Sequence, residues 1–154
     1  MLYKKILVTL DGSEIGECVL PHLKAIAMGC NVPEVIILRV IEPLPAQTIT
    51  ALAQAGADLV TRMENDIQIQ AEKYVTITVN KIKGDGINAI PVLLFGNASE
   101  EILKYTAENG IDLIMMSTHG RTGLTRFFMG SVANRVLNHS TVPVLIVPPL
   151  GCRK

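Results

Sequence analysis

The chain has 154 residues, 49% of them hydrophobic, and its formal net charge at pH 7 is zero. One domain is expected at this length, and the balanced charge argues against a general nucleic-acid partner or an anionic membrane surface. No uninterrupted apolar run reaches the ~18 residues that a membrane span needs. We therefore expect a single domain over residues 1–150 with a short tail over 151–154, and neither a nucleic-acid nor a membrane partner.

The N-terminal segment and the cysteines both predict a cytoplasmic location. The short apolar run after Lys4 and Lys5 ends in acidic residues, where a signal peptide would carry small residues at its cleavage site. Cys18, Cys30 and Cys152 are odd in number and never in a C-x-x-C arrangement. This pattern indicates thiols in a reducing compartment, with neither a disulfide framework nor a zinc site.

Five short segments rich in Val, Ile and Leu alternate along the chain with helical segments. Nearly continuous apolar runs are typical of strands covered on both faces, as in a parallel sheet. The segments are "KKILVTL" (4–10), "EVIILRVI" (34–41), "NAIPVLLF" (88–95), "IDLIMMS" (111–117) and "VPVLIVP" (142–148). The alternation predicts an α/β domain of three layers, with helices on both faces of an open, mainly parallel, five-stranded sheet.

Two helices have clear boundary residues. The first follows Ser13, which we interpret as its N-cap, and stops near Gly29. The other begins at Asn97, followed three residues later by Glu100 in a capping-box-like pattern, and ends at Gly110.

The stretch between the second and third predicted strands supports two interpretations. "YVTITV" (74–79) alternates like a strand, and the "KGDG" after it has the composition of a hairpin turn. A helical stripe nevertheless continues through the same positions and favours one long helix over roughly 48–83. Local sequence leaves the two alternatives evenly balanced.

The segment "STHGRTGLTRFFMGS" (117–131) leaves the fourth predicted strand and leads into a helix. Ligands of open α/β sheets bind at the carboxyl ends of the strands, where a helix N-terminus offers unpaired N–H groups to a phosphate. Gly120 and Gly130 allow close backbone approach, and Ser131 can cap the helix or bond a ligand oxygen. The spacing matches neither G-x-G-x-x-G nor the P-loop, so a turn that requires small residues is the competing interpretation.

The distribution of charge strengthens the phosphate interpretation. All 14 acidic residues lie at or before Asp112, whereas the chain from Leu113 onward carries five Lys and Arg and no acid. Arg121 and Arg126 could therefore meet an anionic ligand. The competing interpretation is that the two parts neutralise each other within one globule.

"KKILVTLDGSE", "VIILRVIEP" and the stretch from "LFGNASEE" to "VPVLIVP" resemble the universal stress protein family over essentially the whole chain. The nucleotide-binding pattern of that family is G-x-x-G, nine residues, then G-[ST]. "STHG", "RTGLTRFFM" and "GS" reproduce its length, with Ser117 in place of the first glycine. The resemblance implies a Rossmann-like fold of the adenine nucleotide alpha hydrolase type, in which the ambiguous stretch is a long helix.

The resemblance further implies a site for ATP or AMP, with Mg²⁺ or Mn²⁺ accompanying the nucleotide and no metal site made by the protein alone. Asp11 would bond the ribose or act through the nucleotide-bound ion; the alternative is that it caps the first helix together with Ser13. The implied binding residues are Thr9, Asp11, Val40, Met116, Ser117, Gly120, Arg121, Gly123, Gly130, Ser131 and Val132.

Three functions are open at this point. The favoured one is a stress-response or signalling protein whose bound nucleotide changes its conformation or partners. A nucleotide-free adaptor of the same fold is the alternative. It is favoured by Ser117, which replaces the first glycine of the pattern, and by Thr9, where some nucleotide binders of the family have proline. An enzyme acting on adenylates comes last, because no nucleophile or general base is recognisable, so that any ATP hydrolysis would be slow.

The last predicted strand carries no charged side chain and, in the family's strand order, lies at a sheet edge. Antiparallel pairing of two copies would satisfy that edge without propagating a fibre. We therefore expect a homodimer through residues 142–148. The alternative is a monomer whose edge is covered by the segment carrying Phe127, Phe128 and Met129.

Overall fold

The computed structural model describes residues 2–118 and 129–148. Its strands are β1 (Lys5–Thr9), β2 (Glu34–Ile41), β3 (Ala89–Phe95), β4 (Leu113–Ser117) and β5 (Val144–Val147). All pairs are parallel, in the order β3-β2-β1-β4-β5. The α/β class and the five predicted strands are confirmed. The strands consist of runs of Val, Ile and Leu because a parallel sheet with helices on both faces buries both sides of a strand.

Helices cover both faces of the sheet. They are α1 (Leu20–Gly29), α2 (Ala46–Ala55), α3 (Leu59–Gly84), α4 (Ala98–Glu108) and α5 (Ser131–His139). Ile6 and Val8 of β1 pack in one apolar cluster with α1 and α3, whereas Leu7 packs in a second cluster with α4 and α5. The predicted three layers are therefore present, with the sheet between two cores.

The first helix starts later than the sequence predicts. A 3₁₀ turn over Gly16–Val19 precedes α1, and the hydroxyl oxygen of Ser13 accepts a 3.0 Å hydrogen bond from the N–H of Gly16. Ser13 thus bonds the first N–H of the 3₁₀ turn, whose N-cap is Ile15, and does not cap the α-helix. Pro21 explains the difference, because a proline fits only the first turn of an α-helix and would break one that began near Ser13.

The boundaries of α4 are those predicted. The side chain of Asn97 accepts a hydrogen bond from the N–H of Glu100 at 3.2 Å. Gly110 follows the C-cap residue with φ of 62°, a left-handed conformation that glycine adopts without strain.

The ambiguous stretch forms two helices. Residues 74–79 lie within α3, so the strand alternative is wrong. The single helix over 48–83 is also wrong, because the helical conformation is interrupted between α2 and α3. Gly56 adopts an extended conformation there, with φ of 170° and ψ of 137°, and glycine is, after proline, the residue least favourable to helix continuation. Neither α2 nor residues 59–70 of α3 contain a buried residue. We call these two segments the helical arm.

The cysteines depart from the sequence prediction. Cys18 is buried in the 3₁₀ turn and is disulfide-bonded, whereas Cys30 is exposed and free. Spacing alone cannot reveal such a bond, because it depends on which residues the fold brings together. The cytoplasmic location stays a prediction that the state of Cys18 does not support. Among the described residues, no helix combines the length and the hydropathy that a membrane span requires.

Candidate functional site

The strand order reverses between β1 and β4. From β1 the chain adds β2 and then β3 on one side, and later adds β4 and β5 on the other. Because loops on opposite faces separate at this point, a crevice opens at the carboxyl ends of the two strands, where α/β proteins bind ligands. Thr9 and Ser117 are the last residues of β1 and β4. The sequence-predicted binding residues within the described ranges lie around this crevice.

An apolar wall occupies the α4/α5 side of the crevice. Met116 is buried there, and Val40 and Val132 pack against the same cluster from β2 and α5. Thr9 lies on the same face of β1 as Leu7, because side chains alternate along a strand, and its register partner in β2 is Leu38. The structure therefore brings three of the implied binding residues, Thr9, Val40 and Met116, to one face of three adjacent strands, together with Val132.

Asp11 holds a tight turn directly after β1. Its Oδ1 accepts hydrogen bonds from the N–H of Ser13 at 3.0 Å and from the hydroxyl of Ser13 at 2.6 Å. Gly12, between the two residues, has φ of 85°. Asp11 Oδ2 is buried and has no hydrogen-bond partner among the described residues. One carboxylate oxygen thus shapes the turn, while the other is left to accept a donor from outside the described chain.

The N-terminus of α5 lies beside the end of β4. Gly130 donates its N–H to the carbonyl of Thr118 at 2.7 Å, and the first intrahelical bond runs from Asn134 N to Gly130 O at 2.9 Å. The N–H groups of the first turn therefore precede the intrahelical ladder and can receive an anion. Ser131 is the first helical residue and the N-cap is Gly130, without a side-chain cap bond. The expectation that Ser131 caps this helix is wrong.

The N-terminus of α4 also lies at the carboxyl edge of the sheet, but side chains fill it. Glu42 accepts a 3.2 Å hydrogen bond from the N–H of Ala98, and Asn97 accepts one from Glu100. The carboxylate of Glu42 would repel a phosphate. Of these two helices, α5 is the one that can accept an anionic group.

Ser117 has an ordinary strand conformation. It pairs with Val147 in β5, and Asn31 is the one non-glycine residue with positive φ in the part of the chain that the structure describes. The φ of Ser117 is therefore negative, so its backbone does not require glycine. Gly120, Arg121, Gly123 and Arg126 lie outside the described residues. Over the described ranges, no group of three His, Cys, Asp or Glu side chains could hold a metal ion.

Sequence reasoning missed two residues behind the turn, Arg39 and Tyr74. Arg39 is only 8% exposed, and its guanidinium carbon lies 5.2 Å from the centroid of the Tyr74 ring. Burial, reinforced by the negative charge of Glu17, raises the pKa of the Tyr74 hydroxyl, so the phenol stays neutral. The available signal was the arginine within "EVIILRVI", because a cation inside an apolar strand must be compensated.

A depression at the opposite, amino edge of the sheet is lined by groups that bond one another. Asp112 accepts hydrogen bonds from the N–H groups of Lys4 at 2.7 Å and Lys5 at 2.9 Å, and these bonds lower its pKa. The ammonium of Lys5 lies 2.7 Å from the carboxylate of Glu34, which raises the pKa of Lys5. These contacts fasten β1 to β2 and β4, so we interpret this edge as structural.

Comparison with known proteins places this geometry in a family. The solved structures with adenylates bound include a universal stress protein from Archaeoglobus fulgidus in complex with dAMP and a universal stress protein family protein from Arabidopsis thaliana with AMP bound. The first is 22% identical to this chain, with a TM-score of 0.63, and covers 95% of it and 98% of its own length. The second is 16% identical, with a TM-score of 0.66, and the coverage is 94% and 91%. At these identities the likeness concerns the fold alone.

A nearer relative is Universal stress protein MJ0577 of Methanocaldococcus jannaschii, 33% identical over 156 aligned positions that cover 96% of each chain. Its solved structure superposes with a TM-score of 0.80 and 30% identity, covering 100% of this chain and 99% of the other. The family model described as Universal stress protein family matches residues 2–148. The chain therefore belongs to the universal stress protein family.

Proposed function

We propose that this protein binds an adenine nucleotide, AMP or ATP, in the crevice between β1 and β4 and acts as a stress-response or signalling protein. The observation that carries the proposal is the Oδ2 atom of Asp11, a buried acceptor without a partner among the described residues. Leaving a charged oxygen buried and unpaired costs free energy, and a ribose hydroxyl would supply the missing donor. The two hydrogen bonds from Ser13 to Asp11 Oδ1 fix the orientation of the carboxylate, and so the position of Oδ2.

The apolar wall supports a base next to the ribose. Val40, Met116 and Val132 meet at the carboxyl ends of β2 and β4 and the start of α5. A flat aromatic base would bury its face against these side chains, as ligand pockets commonly do. The adenylates in the Archaeoglobus fulgidus and Arabidopsis thaliana structures, which share this fold, support adenine as that base.

The two helix N-termini at this edge support a direction for the phosphates. Glu42 beside Ala98 would repel them from α4, whereas the first turn of α5 would attract them. This direction leads to Gly130 and Ser131, and we propose that Gly120, Arg121 and Gly123 complete the phosphate site. A divalent ion accompanying the nucleotide stays an expectation from the family resemblance, with Asp11 as its protein contact.

We also propose that the protein acts as a homodimer through residues 142–148. β5 lies at an edge of the sheet, so one side of the strand is not paired within the part of the chain that the structure describes. The backbone bonds from Ile114 N to Pro143 O and from Thr118 N to Val147 O show which residues face β4. By alternation, Val144 and Ile146 present their N–H and C=O groups to the outer edge.

The deciding experiment has two arms. In the first arm, purified protein is denatured and any released nucleotide is identified by chromatography and mass spectrometry. In the second arm, nucleotide-free protein is titrated with AMP and with ATP by calorimetry, with and without EDTA. We expect Asp11→Ala to weaken AMP binding at least about tenfold, the equivalent of ~1.4 kcal/mol. Asp112→Ala removes a carboxylate that also holds two N–H groups but lies at the opposite edge, so its affinity should equal that of the wild type. If wild-type protein bound neither nucleotide at millimolar concentration, the proposal would fail in favour of the nucleotide-free adaptor.

A further inference from the structure

The cation of Arg39 is buried where a sheet of this kind normally carries an apolar side chain. Its neighbours along the same face of β2, Val35 and Ile37, belong to the apolar cluster under α1 and α3. Moving an ion out of water costs several kcal/mol unless the protein compensates it. Since Arg39 is 8% exposed, its surroundings must provide that compensation.

The guanidinium lies close to an aromatic ring and to a glycine. Its carbon is 5.2 Å from the centroid of Tyr74, a cation–π distance. A Cβ atom placed on Gly12 would lie 2.9 Å from Nη1, 3.0 Å from Cζ and 3.1 Å from Nη2. Three nearly equal distances mean that the planar group faces the α-carbon of Gly12. A side chain at this position would displace the guanidinium.

Gly12 is the middle of the turn that presents Asp11. It separates Asp11 from Ser13, whose N–H and hydroxyl both bond Asp11 Oδ1, and its φ of 85° is a conformation that glycine favours. The side chains of Arg39 and Tyr74 reach this turn from the α3 side, whereas the apolar wall with Met116 lies on the other face. Arg39 therefore contacts the back of the turn and not the crevice.

Negative charge surrounds the same place. The carboxylates of Glu17 and Asp11 both raise the pKa of Tyr74, so both lie near its hydroxyl. The guanidinium can offset these charges while the ring and Gly12 fix its plane. The phenol oxygen itself is buried and no described residue meets hydrogen-bond geometry with it, although Glu17 and Thr78 are close enough to affect its pKa. The contact of Tyr74 with Arg39 is made by its ring.

We propose that Arg39 and Tyr74 are a positioning pair that holds the turn over residues 11–13 in the shape that presents Asp11 Oδ2 to a ligand. This inference rests on the proposed nucleotide site, because it assigns the pair a role in that site's affinity. The pair touches neither ribose nor base. The pair sets the conformation of Asp11, which contacts the ribose in the proposed site.

The experiment compares two pairs of variants. Arg39→Met removes the charge and the plane at similar length, whereas Arg39→Lys restores the charge; Tyr74→Leu removes the ring, whereas Tyr74→Phe removes only the hydroxyl. We expect AMP affinity to fall about tenfold in Arg39→Met and about threefold in Tyr74→Leu, with partial recovery in Arg39→Lys and wild-type affinity in Tyr74→Phe. Inhibition of AMP binding by inorganic tripolyphosphate should keep its wild-type constant in all four, because the phosphate region at α5 does not involve this turn.

A second readout works without any nucleotide. The N–H groups of Ser13 and Gly16 are protected by bonds to Asp11 and to the Ser13 hydroxyl, so their hydrogen exchange should accelerate in Arg39→Met and Tyr74→Leu but not in Tyr74→Phe. If Arg39→Met failed to fold, Tyr74→Leu decides the same question by both readouts. A wild-type protein that does not bind AMP would refute the proposed function alone. Wild-type AMP affinity and exchange rates in folded Arg39→Met and Tyr74→Leu would overturn the positioning role alone.

Discussion

Gly130 donates its backbone N–H to the carbonyl oxygen of Thr118 at 2.7 Å, and Thr118 donates to Val147 at 3.1 Å. These two bonds join the end of β4, the start of α5 and the end of β5 at one point. The φ of −58° and ψ of 152° at Gly130 are open to any residue. The backbone conformation therefore does not require glycine here, whereas the proposed phosphate site would require a residue without a side chain.

Gly130→Val is therefore a selective test of the proposed phosphate site. Valine adopts this conformation readily, so we expect the free energy of unfolding to change by no more than about 1 kcal/mol, while the added side chain blocks the approach of a phosphate and ATP binding is lost. Gly130→Ala, with one methyl group, should give an intermediate affinity. Calorimetry with ATP and thermal unfolding measure the two effects, and unchanged ATP affinity in Gly130→Val would show that the phosphates lie elsewhere.

Ser117→Gly restores the first glycine of the family pattern. Because the φ of Ser117 is already negative, its side chain should crowd the phosphates only mildly, and we expect ATP binding to tighten by about tenfold at most, ~1.4 kcal/mol. Glycine inside β4 should at the same time lower stability by about 0.5–1 kcal/mol. Titration of both proteins with ATP checks the first effect. A wild type that does not bind, turned into a strong binder by this change, would support the adaptor alternative.

The dimer can be tested at the outer edge of β5 without disturbing the ladder to β4. Ile146 packs in the apolar cluster under α4 and α5, so a lysine there would damage the core and the edge together. Ile146→Pro removes an outward N–H and replaces the side chain by a smaller apolar one, so it places no charge in the core, and proline is tolerated at an edge strand. We expect this variant to be a folded monomer by light scattering and Ile146→Val to stay dimeric. A wild-type mass near the 16.7 kDa of one chain at micromolar concentration would contradict the dimer.

Asp112 should make stability depend on acid pH. Its pKa is lowered in the folded protein by the N–H groups of Lys4 and Lys5, so its stabilisation is complete above the unfolded value of about 3.9 and is lost as the pH falls through the folded pKa. Asp112→Asn should lower stability by about 1 kcal/mol at pH 7, since partial exposure screens the interaction, and by less near pH 2. Urea unfolding at both pH values measures this, with the exposed Asp66→Asn on α3 as the control. An equal loss of unfolding free energy at both pH values would show that the side-chain geometry, and not the charge of Asp112, is responsible.

The sheet could be predicted because its information is local. Each strand is a run of Val, Ile and Leu, and Asn97 and Gly110 mark the ends of α4 by the bonds and the φ that their own types favour. The start of α1 depends on two competing signals, the cap at Ser13 and the proline at Pro21, and the proline decides because it fits only the first turn of a helix. Gly56 likewise interrupts the long helix that is one of the two alternatives for its stretch.

The site was predictable only in part, because its chemistry depends on contacts between distant segments. Capping and ligand binding are not exclusive for Asp11. Ser13 bonds one carboxylate oxygen, and the other stays available to a ligand. Nothing near Asp11 in the sequence indicates that Arg39 and Tyr74 lie behind it, since β2 and α3 meet this turn only in the folded chain. Glu42 at the start of α4 is likewise 56 positions away from Ala98 along the chain.

The helical arm gives α3 two parts of unequal stability within one continuous helix. Residues from Ala71 onward pack on the sheet, whereas residues 59–70 and the whole of α2 bury no side chain completely. Unfolding of the arm therefore exposes little apolar surface and need not disturb the sheet, so it can occur as a separate local opening. Amide hydrogen exchange along this helix should consequently change from fast to slow near Ala71, and insertions into the arm should be tolerated better than insertions into the second half of α3.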